Sequence, residues 1–355
     1  MKVAIIGAGI SGLACAYTFE KMGISCDIYE RKHTIGNLFS FGELILQVMH
    51  RPYKDPLSFL KSQLRIPVVP LNKIKKIIIK SLNKKTSIEG DLGYILERGQ
   101  GQQSVENQLA GKINSKINFN INADYRQLAA SYDYVVVATG NSMIAKQLTE
   151  YADIVSSRIK GGIAIGEFDI NTVYVWFNTM YARSGFGYLV PLSRNKASII
   201  LVSTYTQKEE IENMWHTFLY QEKLNYEIIE TFETEMDGWI AKEHKIGNIY
   251  LIGNAGGFLE PCFGFGLVNS LETGVYSAQA IVKGENYEQK IGKIVDKVNK
   301  MADFRRVMDN MRDKDYDRFL SIIGNPIIKT LIYKANLDVI NYLHTFIKIL
   351  KKPSE

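Results

Sequence analysis

The sequence predicts an α/β fold in which a parallel sheet is interrupted by a module of antiparallel strands and followed by a helical segment. Two apolar runs, at residues 3–6 and 248–252, each lead into a glycine-rich turn, a pattern typical of buried parallel strands. Between residues 151 and 245, short strand-like segments rich in aromatic residues indicate an antiparallel sheet with a helix on one side. A chain of 355 residues is long enough for two domains.

The first glycine-rich turn has the spacing of a phosphate-binding loop. Gly7, Gly9 and Gly12 follow the strand at residues 3–6 in the pattern G-x-G-x-x-G, and residues 13–22 are predicted to form the next helix. In this pattern the first glycine permits a tight turn, the second lets the backbone approach a pyrophosphate, and the third lets the helix pack closely on the strand. The N–H groups at the start of the helix then face the phosphates.

The residues that follow complete a unit for binding a dinucleotide. Gly23 is predicted to end the helix, and a second strand at residues 24–29 leads to Glu30, 18 residues after Gly12. An acid at this distance accepts hydrogen bonds from a ribose 2′-OH, and its charge disfavours a 2′-phosphate. The complete strand–helix–strand pattern, with only Lys2 as a basic residue before it, argues against a secretory signal.

The composition is that of a protein with a sizeable core, at 46% hydrophobic and 23% charged residues. Cys15, Cys26 and Cys262 form neither a disulfide framework nor a C-x-x-C pair, so we expect a reducing, cytoplasmic setting. No apolar run is long enough for a transmembrane helix. The five histidines lack metal-ligand spacing, and we expect no metal site.

The net charge of +6 is concentrated in two basic segments. Residues 291–355 hold 13 lysines and arginines against 8 acidic residues, and residues 73–85 hold six lysines and no acid. Apolar residues within and around 73–85 share one face if this segment is a helix. Such a helix packs on the core with a solvated lysine face, or rests on anionic lipid as a peripheral membrane contact. No module accompanies the charge that would indicate nucleic-acid binding.

The second glycine-rich segment suits the other end of the same dinucleotide. After the strand at residues 248–252, residues 253–257 form a turn, and Gly264 and Gly266 precede a helix that begins near Leu267. The partial positive charge at a helix N-terminus stabilises negative charge. Directed at the pyrimidine edge of a flavin, it would favour the reduced cofactor.

This segment reads G-N-A-G-G-x-x-x-P-x-x-G-x-G and resembles the G-D-A-A-G-x-x-x-P-x-x-G-x-G segment of flavoproteins related to para-hydroxybenzoate hydroxylase. Within that group the chain is most similar to the geranylgeranyl reductase family. Residues 94–98 resemble the family's Y-x-x-x-R, residues 133–140 its D-x-V-V-x-A-T/D-G strand, and residues 176–191 its aromatic segment. The resemblance covers roughly residues 1–285 and is more specific for the fold than for the substrate.

The resemblance implies a glutathione-reductase-type FAD-binding Rossmann domain with an inserted antiparallel-sheet substrate domain and a C-terminal helical segment. The implied boundaries are 1–50, 91–150 and 246–285 for the FAD-binding domain, 51–90 and 151–245 for the substrate domain, and 286–355 for the helical region. The residues expected to bind FAD are Gly7, Gly9, Ile10, Ser11, Gly12, Glu30, Arg31, Arg98, Ala123, Thr139, Gly140, Gly253, Asn254, Pro261, Gly264, Gly266, Leu267 and Val268.

The chain departs from the family at three places. Asn254 replaces the aspartate that hydrogen-bonds the ribityl chain, which keeps an acceptor and removes a charge. The cysteine-containing glycine motif after the second strand is absent, since residues 35–41 read I-G-N-L-F-S-F. The D-G motif of aromatic hydroxylases is not evident after Gly140.

Because a flavin carries the hydride itself, the remaining candidates are residues that shape a dry pocket or supply a proton. Glu260, beside the expected ring site, is a candidate proton relay or an ordinary loop acid. Cys262 is redox-active or simply packs. The aromatic residues that either line a substrate channel or form ordinary sheet core are Tyr174, Trp176, Phe177, Phe186 and Tyr188.

The leading hypothesis is an FAD-dependent reductase that transfers hydride from flavin N5 to a carbon–carbon double bond of an apolar, isoprenoid-like substrate. A reduced carrier protein or NAD(P)H would donate the electrons. The alternatives are a flavin monooxygenase or halogenase acting on an aromatic or amino-acid substrate, a non-redox flavin-dependent cyclase, and a binding module without catalysis.

Overall fold

A computed structural model of the chain describes residues 1–51, 53, 55–334 and 339–340. The strands are β1 (Val3–Ile6), β2 (Asp27–Tyr29), β3 (Phe41–Leu46), β4 (Asn72–Lys80), β5 (Lys85–Arg98), β6 (Ile117–Asn118), β7 (Tyr134–Val137), β8 (Tyr151–Ile165), β9 (Thr172–Trp176), β10 (Phe186–Pro191), β11 (Lys196–Thr204), β12 (Glu227–Ala241), β13 (Lys245–Ile246) and β14 (Ile249–Leu251). The helices are α1 (Ile10–Lys21), α2 (Pro56–Ser62), α3 (Val105–Ala110), α4 (Tyr125–Ser131), α5 (Ala145–Leu148), α6 (Thr179–Ala182), α7 (Ile211–Gln221), α8 (Leu267–Lys283), α9 (Tyr287–Met308), α10 (Asp313–Gly324) and α11 (Pro326–Lys334).

The first sheet has six strands in the order β13-β14-β7-β1-β2-β6. Its strands from β14 to β6 pair in parallel, and only the short β13 is antiparallel. The strands β1 and β7 are buried almost throughout, as their continuous apolar runs predict. Helix α8 packs directly on α1. The two helices are so close at Gly274 that a Cβ atom there would lie only 2.5 Å from the carbonyl oxygen of Ser11. The N-terminal and C-terminal parts of the sequence therefore build one layer.

The second sheet has eight strands in the order β12-β8-β11-β10-β9-β4-β5-β3. All its pairings are antiparallel except that between β4 and β9. Helix α7 covers one face of this sheet, where Trp215 and Phe218 pack against its aromatic residues. The predicted fold class, an α/β domain with an inserted antiparallel sheet and C-terminal helices, is confirmed.

Strand assignment differs from the predicted domain boundaries at two points. Strand β3 lies within residues 1–50, and the second half of β5 lies after residue 91, yet both belong to the eight-stranded sheet. The long strand β5 requires glycine at position 93. There φ is +144°, and a Cβ atom would lie 2.0 Å from the carbonyl oxygen of Ile45 on the neighbouring strand β3. The chain thus enters the second sheet before residue 51 and leaves it after residue 91.

The basic segment at residues 73–85 is not a helix; it forms most of β4, a turn and the start of β5. The isoleucines of this segment are β-branched and favour strands. A register shift lies between Ile74 and Lys76, so Ile74 and Ile77 are both buried although they are three residues apart. This bulge reproduces the spacing of a helical face, which is why the sequence pattern was misleading. The nearby acids Glu89 and Asp91 form ion pairs with two of the lysines.

The C-terminal helices α9, α10 and α11 lie against the eight-stranded sheet. Arg305 on α9 is buried and donates to the carbonyl oxygen of Ser184 at 2.8 Å, and Asp313 at the start of α10 accepts from Thr179 N at 2.9 Å. The predicted break at residues 324–326 is confirmed, since α10 ends at Gly324 and α11 starts at Pro326. Among the helices in the described ranges, none is long and apolar enough to cross a membrane. The end of the predicted basic tail lies outside the described residues.

Candidate functional site

One cavity of about 1640 Å³ lies between the two sheets and is lined by both glycine-rich segments. Gly7 and Gly9 line it from the first segment, and Asn254, Gly264 and Gly266 line it from the second. The two segments that the sequence assigned to one ligand therefore open onto the same space.

Each of the three glycines of the first turn is required for a different local reason. Gly7 has a φ of +109°, and a Cβ atom there would lie 2.4 Å from the carbonyl oxygen of Ala138. At Gly12 a Cβ atom would lie 2.1 Å from the carbonyl oxygen of Gly7, so any side chain would push α1 off the turn. At Gly9 no atom lies within 4 Å of that position. Gly9 thus borders open cavity, as close approach of a pyrophosphate requires.

Glu30 stands at the end of β2, buried and with its carboxylate held by two backbone groups. Its Oε2 accepts from the N–H of Ala8 at 2.8 Å and its Oε1 from the N–H of Lys32 at 2.9 Å. A carboxylate oxygen can accept more than one hydrogen bond, so both oxygens remain able to accept from a ribose hydroxyl.

The same end of the cavity holds further residues that the sequence assigned to the cofactor and several that it missed. Gly140 has a φ of +75° and no atom within 4 Å of a Cβ position. Arg126 and Tyr125 both donate to Oε1 of Gln147, at 2.9 and 3.3 Å, and close this end of the cavity. The assigned residues at this end are Ile10, Ser11, Arg31, Ala123 and Thr139; those missed, which carry no motif, include Asn122, Asp124, Met143 and Ile144.

Five residues assigned to the cofactor are buried behind the cavity and do not line it. A Cβ atom at Gly253, where φ is +55°, would lie 2.6 Å from Oγ of Ser11, so the second turn rests on α1. The N–H of Gly253 donates to Oγ1 of Thr273 at 3.0 Å. The five residues are Gly12, Gly253, Pro261, Leu267 and Val268.

Arg98 lines the cavity, but two carboxylates engage its charge. Its Nε donates to Oε1 of Glu106 at 3.0 Å, and its Nη1 donates to Oε2 of Glu43. Glu106 is fully buried and also accepts from the N–H of Gly99 at 3.2 Å. The Arg98 guanidinium lies over the ring of Phe41 at 5.6 Å. Arg98 is therefore the centre of a cluster rather than a free cation.

Glu43, which sequence analysis missed, connects this cluster to α8. Its Oε1 accepts from the N–H of Leu267, the first residue of α8, at 3.1 Å. Burial raises the pKa of the Glu43 carboxyl, while Arg98 and the N–H of Leu267 act in the opposite direction. No local signal on β3 could have revealed this contact, since its partners lie 55 and 224 residues away.

The aromatic residues predicted to line a substrate channel divide between the two faces of the eight-stranded sheet. Phe177, Phe186 and Tyr188 line the cavity. Tyr174 and Trp176 instead face α7, and Trp176 packs edge-on against Phe218 at 5.6 Å. Neighbouring residues of a strand point to opposite faces, so the assignment of Tyr174 and Trp176 to the channel is corrected.

Apolar side chains from several elements enlarge this part of the cavity into what we call the apolar chamber. The ring of Phe232 stacks on that of Phe39, with 3.9 Å between the centroids. Burial raises the pKa of the Tyr188 phenol, which stays protonated at neutral pH. Sequence analysis missed the contribution of the helices, because it depends on how α10 and α11 dock. Chamber residues include Ile79, Ile159, Val175, Phe177, Phe186, Tyr188, Phe232, Met236, Phe263, Met301, Phe304, Phe319, Ile322, Ile323, Ile328, Leu331 and Ile332.

Glu260 and Cys262 lie behind the cavity and do not line it. The carboxylate of Glu260 accepts from the N–H groups of Cys262 at 2.6 Å and Phe263 at 2.8 Å, so it caps the turn. The thiol of Cys262 donates to the carbonyl oxygen of Met301 at 3.1 Å, and burial raises its pKa well above the usual range. The geometry matches the packing interpretation of Cys262 and gives Glu260 a structural contact. Within the described ranges, no three His, Cys, Asp or Glu side chains form a metal-binding group.

Residues 5–49 match the model of the NAD(P)-binding Rossmann-like domain family. The putative oxidoreductase AegA of Escherichia coli (strain K12) is 49% identical over 41 residues, which are 12% of this chain and 6% of that protein. The chain thus matches only a small part of that relative's length. The family match covers the first glycine-rich unit, from β1 to the start of the segment after β3.

Solved structures match nearly the whole chain. A geranylgeranyl bacteriochlorophyll reductase-like protein from Thermoplasma acidophilum superposes with a TM-score of 0.72 at 16% identity, covering 98% of both chains. The flavin-dependent brominase Bmp2 gives a TM-score of 0.66 at 14% identity, covering 98% of this chain and all of that one. The p-nitrophenol 4-monooxygenase PnpA from Pseudomonas putida DLL-E4 gives 0.63 at 13% identity, with 99% and 98% covered. These likenesses confirm the predicted resemblance at the level of the fold.

Proposed function

We propose that this chain, whose fold is that of the reductase-like, brominase and monooxygenase structures, is an FAD-dependent oxidoreductase acting on a long apolar substrate. The observation that carries the proposal is the continuity of one cavity from the first glycine turn and Glu30 to the apolar chamber. A polar end with phosphate-binding geometry and an apolar end large enough for a lipid chain meet beside the second glycine segment.

The residues at the polar end fit FAD. Gly9 leaves room for a pyrophosphate, the carboxylate of Glu30 would accept from the adenosine ribose, and the amide of Asn254, which lines the same cavity, would bind the ribityl hydroxyls. An amide at this position keeps an acceptor for such a hydrogen bond and carries no charge. When bound, FAD supplies a hydride donor at N5.

The apolar chamber supports an isoprenoid-like substrate and reduction of a carbon–carbon double bond. Its phenylalanines exclude water and hold a chain by packing, and the residues from α10 and α11 close it on one side. Such a reduction also needs a proton. Tyr188 lines the chamber and carries an ionisable hydroxyl, so its phenol is the group proposed to hold that proton.

The spectrum of the purified protein is the first test. We expect flavin absorbance near neutral pH, either as isolated or after incubation with FAD. The reduced protein, kept without oxygen, should be reoxidised by geranylgeranyl lipids and not by short aromatic acids. Failure of every isoprenoid to reoxidise the flavin would refute the substrate assignment and leave FAD binding intact. Comparison of a reduced carrier protein with NAD(P)H as reductant then identifies the electron donor.

A second function is supported by the shared fold of the brominase and the monooxygenase, both of which match nearly the whole chain. A flavin monooxygenase or halogenase consumes oxygen in proportion to product. Oxygen uptake by the reduced protein that is coupled to hydroxylation or halogenation of an aromatic substrate would favour this function over the reductase.

Peripheral membrane contact, together with a cytoplasmic location, fits a substrate that resides in lipid. Helix α11 lines the apolar chamber through Ile328, Leu331 and Ile332. Leu331 is also 48% accessible, and the neighbouring Ile327 is 71% accessible. An exposed apolar surface beside a chamber of this kind gives a lipid chain a direct route from the bilayer.

A further inference from the structure

The N-terminus of α8 already carries a negative group from the protein itself. Helix α8 has 17 residues, and the N–H of its first residue, Leu267, donates to Oε1 of Glu43 at 3.1 Å. The positive end of a helix favours an anion at this position. The sequence predicts that this position faces the pyrimidine edge of the flavin.

The surrounding cluster holds two carboxyl groups and one guanidinium, so its charges do not balance when Glu43 is ionised. Glu43 and Glu106 both contact Arg98, so two carboxylates share one guanidinium. The side chains of Glu43 and Arg98 are only 11% and 12% exposed, so solvent screens their charges weakly. Glu43, Arg98 and Glu106 all line the cavity together with Asn254 and Gly266. An ionised Glu43 therefore adds negative charge where reduced flavin would also place it.

We propose that Glu43 is a tuning residue of the flavin site, whose carboxylate occupies the first N–H of α8 and weakens the binding of reduced FAD relative to oxidised FAD. This inference rests on the proposed function, because it needs FAD in the cavity. It predicts a flavin of low reduction potential, which suits donation of hydride to an unactivated double bond.

The test compares Glu43→Gln with the matched control Glu97→Gln. Glutamine keeps an oxygen for the N–H of Leu267 and removes the charge. Glu97 precedes Arg98 on β5, does not line the cavity, and accepts from the N–H of Gln103 at 3.0 Å, so Glu97→Gln removes an equal charge from the neighbouring residue. Both variants are titrated against a redox dye of known potential, and the affinity for oxidised FAD is measured by flavin fluorescence.

For Glu43→Gln we expect the ratio of reduced to oxidised FAD affinity to rise about tenfold, which is about 30 mV for a two-electron couple. For Glu97→Gln we expect the wild-type ratio. An unchanged potential in Glu43→Gln overturns the inference, and so does an equal rise in both variants, since that is a general effect of charge. If Glu43→Gln does not fold, Glu43→Met gives the same test with a neutral side chain of similar length.

The outcome for the wild-type protein separates this inference from the proposed function. A wild-type protein that takes up no FAD overturns the proposed function, and the inference with it. A wild-type protein that binds FAD, with the same potential in Glu43→Gln, retains the function and loses the inference alone.

Discussion

At the residue scale, the two glycines Gly9 and Gly12 differ in what a methyl group would meet. A Cβ atom at Gly12 would lie 2.1 Å from a carbonyl oxygen, so Gly12→Ala should destabilise the fold. Gly9 has an ordinary φ of −83° and open space around its Cβ position, so Gly9→Ala should fold normally and place its methyl group where the pyrophosphate approaches. We expect about tenfold weaker FAD binding for Gly9→Ala, or ~1.4 kcal/mol, with Tm unchanged.

Thermal melting and FAD titration of both variants check this prediction. A Gly9→Ala protein that binds FAD as tightly as the wild type would contradict the assignment of the turn to the pyrophosphate. A Gly12→Ala protein with unchanged Tm would contradict the close contact between α1 and the turn.

Glu272 on α8 provides a second prediction at this scale. Burial raises the pKa of this carboxyl from 4.5 to about 7, opposed by the charge of Lys297 and by a hydrogen bond from Tyr276 at 3.4 Å. The folded chain therefore binds more protons than the unfolded chain between these values, and stability falls as the pH rises through this window. We expect Glu272→Gln to raise the free energy of unfolding by ~1–3 kcal/mol at pH 8 and to change it little at pH 4. Urea unfolding at several pH values measures the difference, and a constant difference at all pH values would contradict the titration of Glu272.

At the element scale, the sequence predicted those elements whose signals are local. The strand–turn–helix of residues 3–22 and the break at Gly324 are encoded by neighbouring residues and are confirmed. The segment at residues 73–85 was misread because a bulge placed Ile74 and Ile77 on one face. Glu43 was missed because its role depends on contacts between distant parts of the chain, which no single-sequence pattern records.

Strands β9 and β10 have one face on α7 and one on the cavity, so substitutions on the two faces should have different effects, one on stability and the other on the reaction rate. Trp176 packs on α7, so Trp176→Ala should cost ~3–5 kcal/mol in stability without reshaping the cavity. Tyr188 faces the chamber, and Tyr188→Phe keeps its ring while removing the proton on Oη. We expect Tyr188→Phe to keep its Tm and to reoxidise at least ~10-fold more slowly with an isoprenoid, as loss of a general acid does. Stopped-flow absorbance of the reduced variants measures this rate, and a wild-type rate in Tyr188→Phe would remove Oη as the proton source.

At the scale of the whole molecule, the two sheets and the C-terminal helices together create a space that none of them encloses alone. Helices α10 and α11 extend the chamber to an exposed apolar surface. A surface of this chemistry fits a lipid bilayer as its partner. We expect the wild-type protein to pellet with anionic lipid vesicles. Ile327→Glu places a charge on the exposed side of α11, so it should reduce pelleting severalfold, since a charge is costly to bury in lipid.

Ile229→Glu is the matched control. Ile229 is an apolar residue that is 52% exposed, and it lies on β12, an edge strand of the eight-stranded sheet away from α11. It changes the net charge by the same amount, so equal losses in both variants would indicate simple electrostatic repulsion instead of docking through α11. Neutral vesicles separate the two contributions: pelleting that persists with neutral lipid depends on the apolar surface, whereas pelleting lost with neutral lipid depends on the basic residues. A wild-type protein that pellets with neither type of vesicle must receive its substrate from solution, and the exposed side of α11 then has no part in substrate entry.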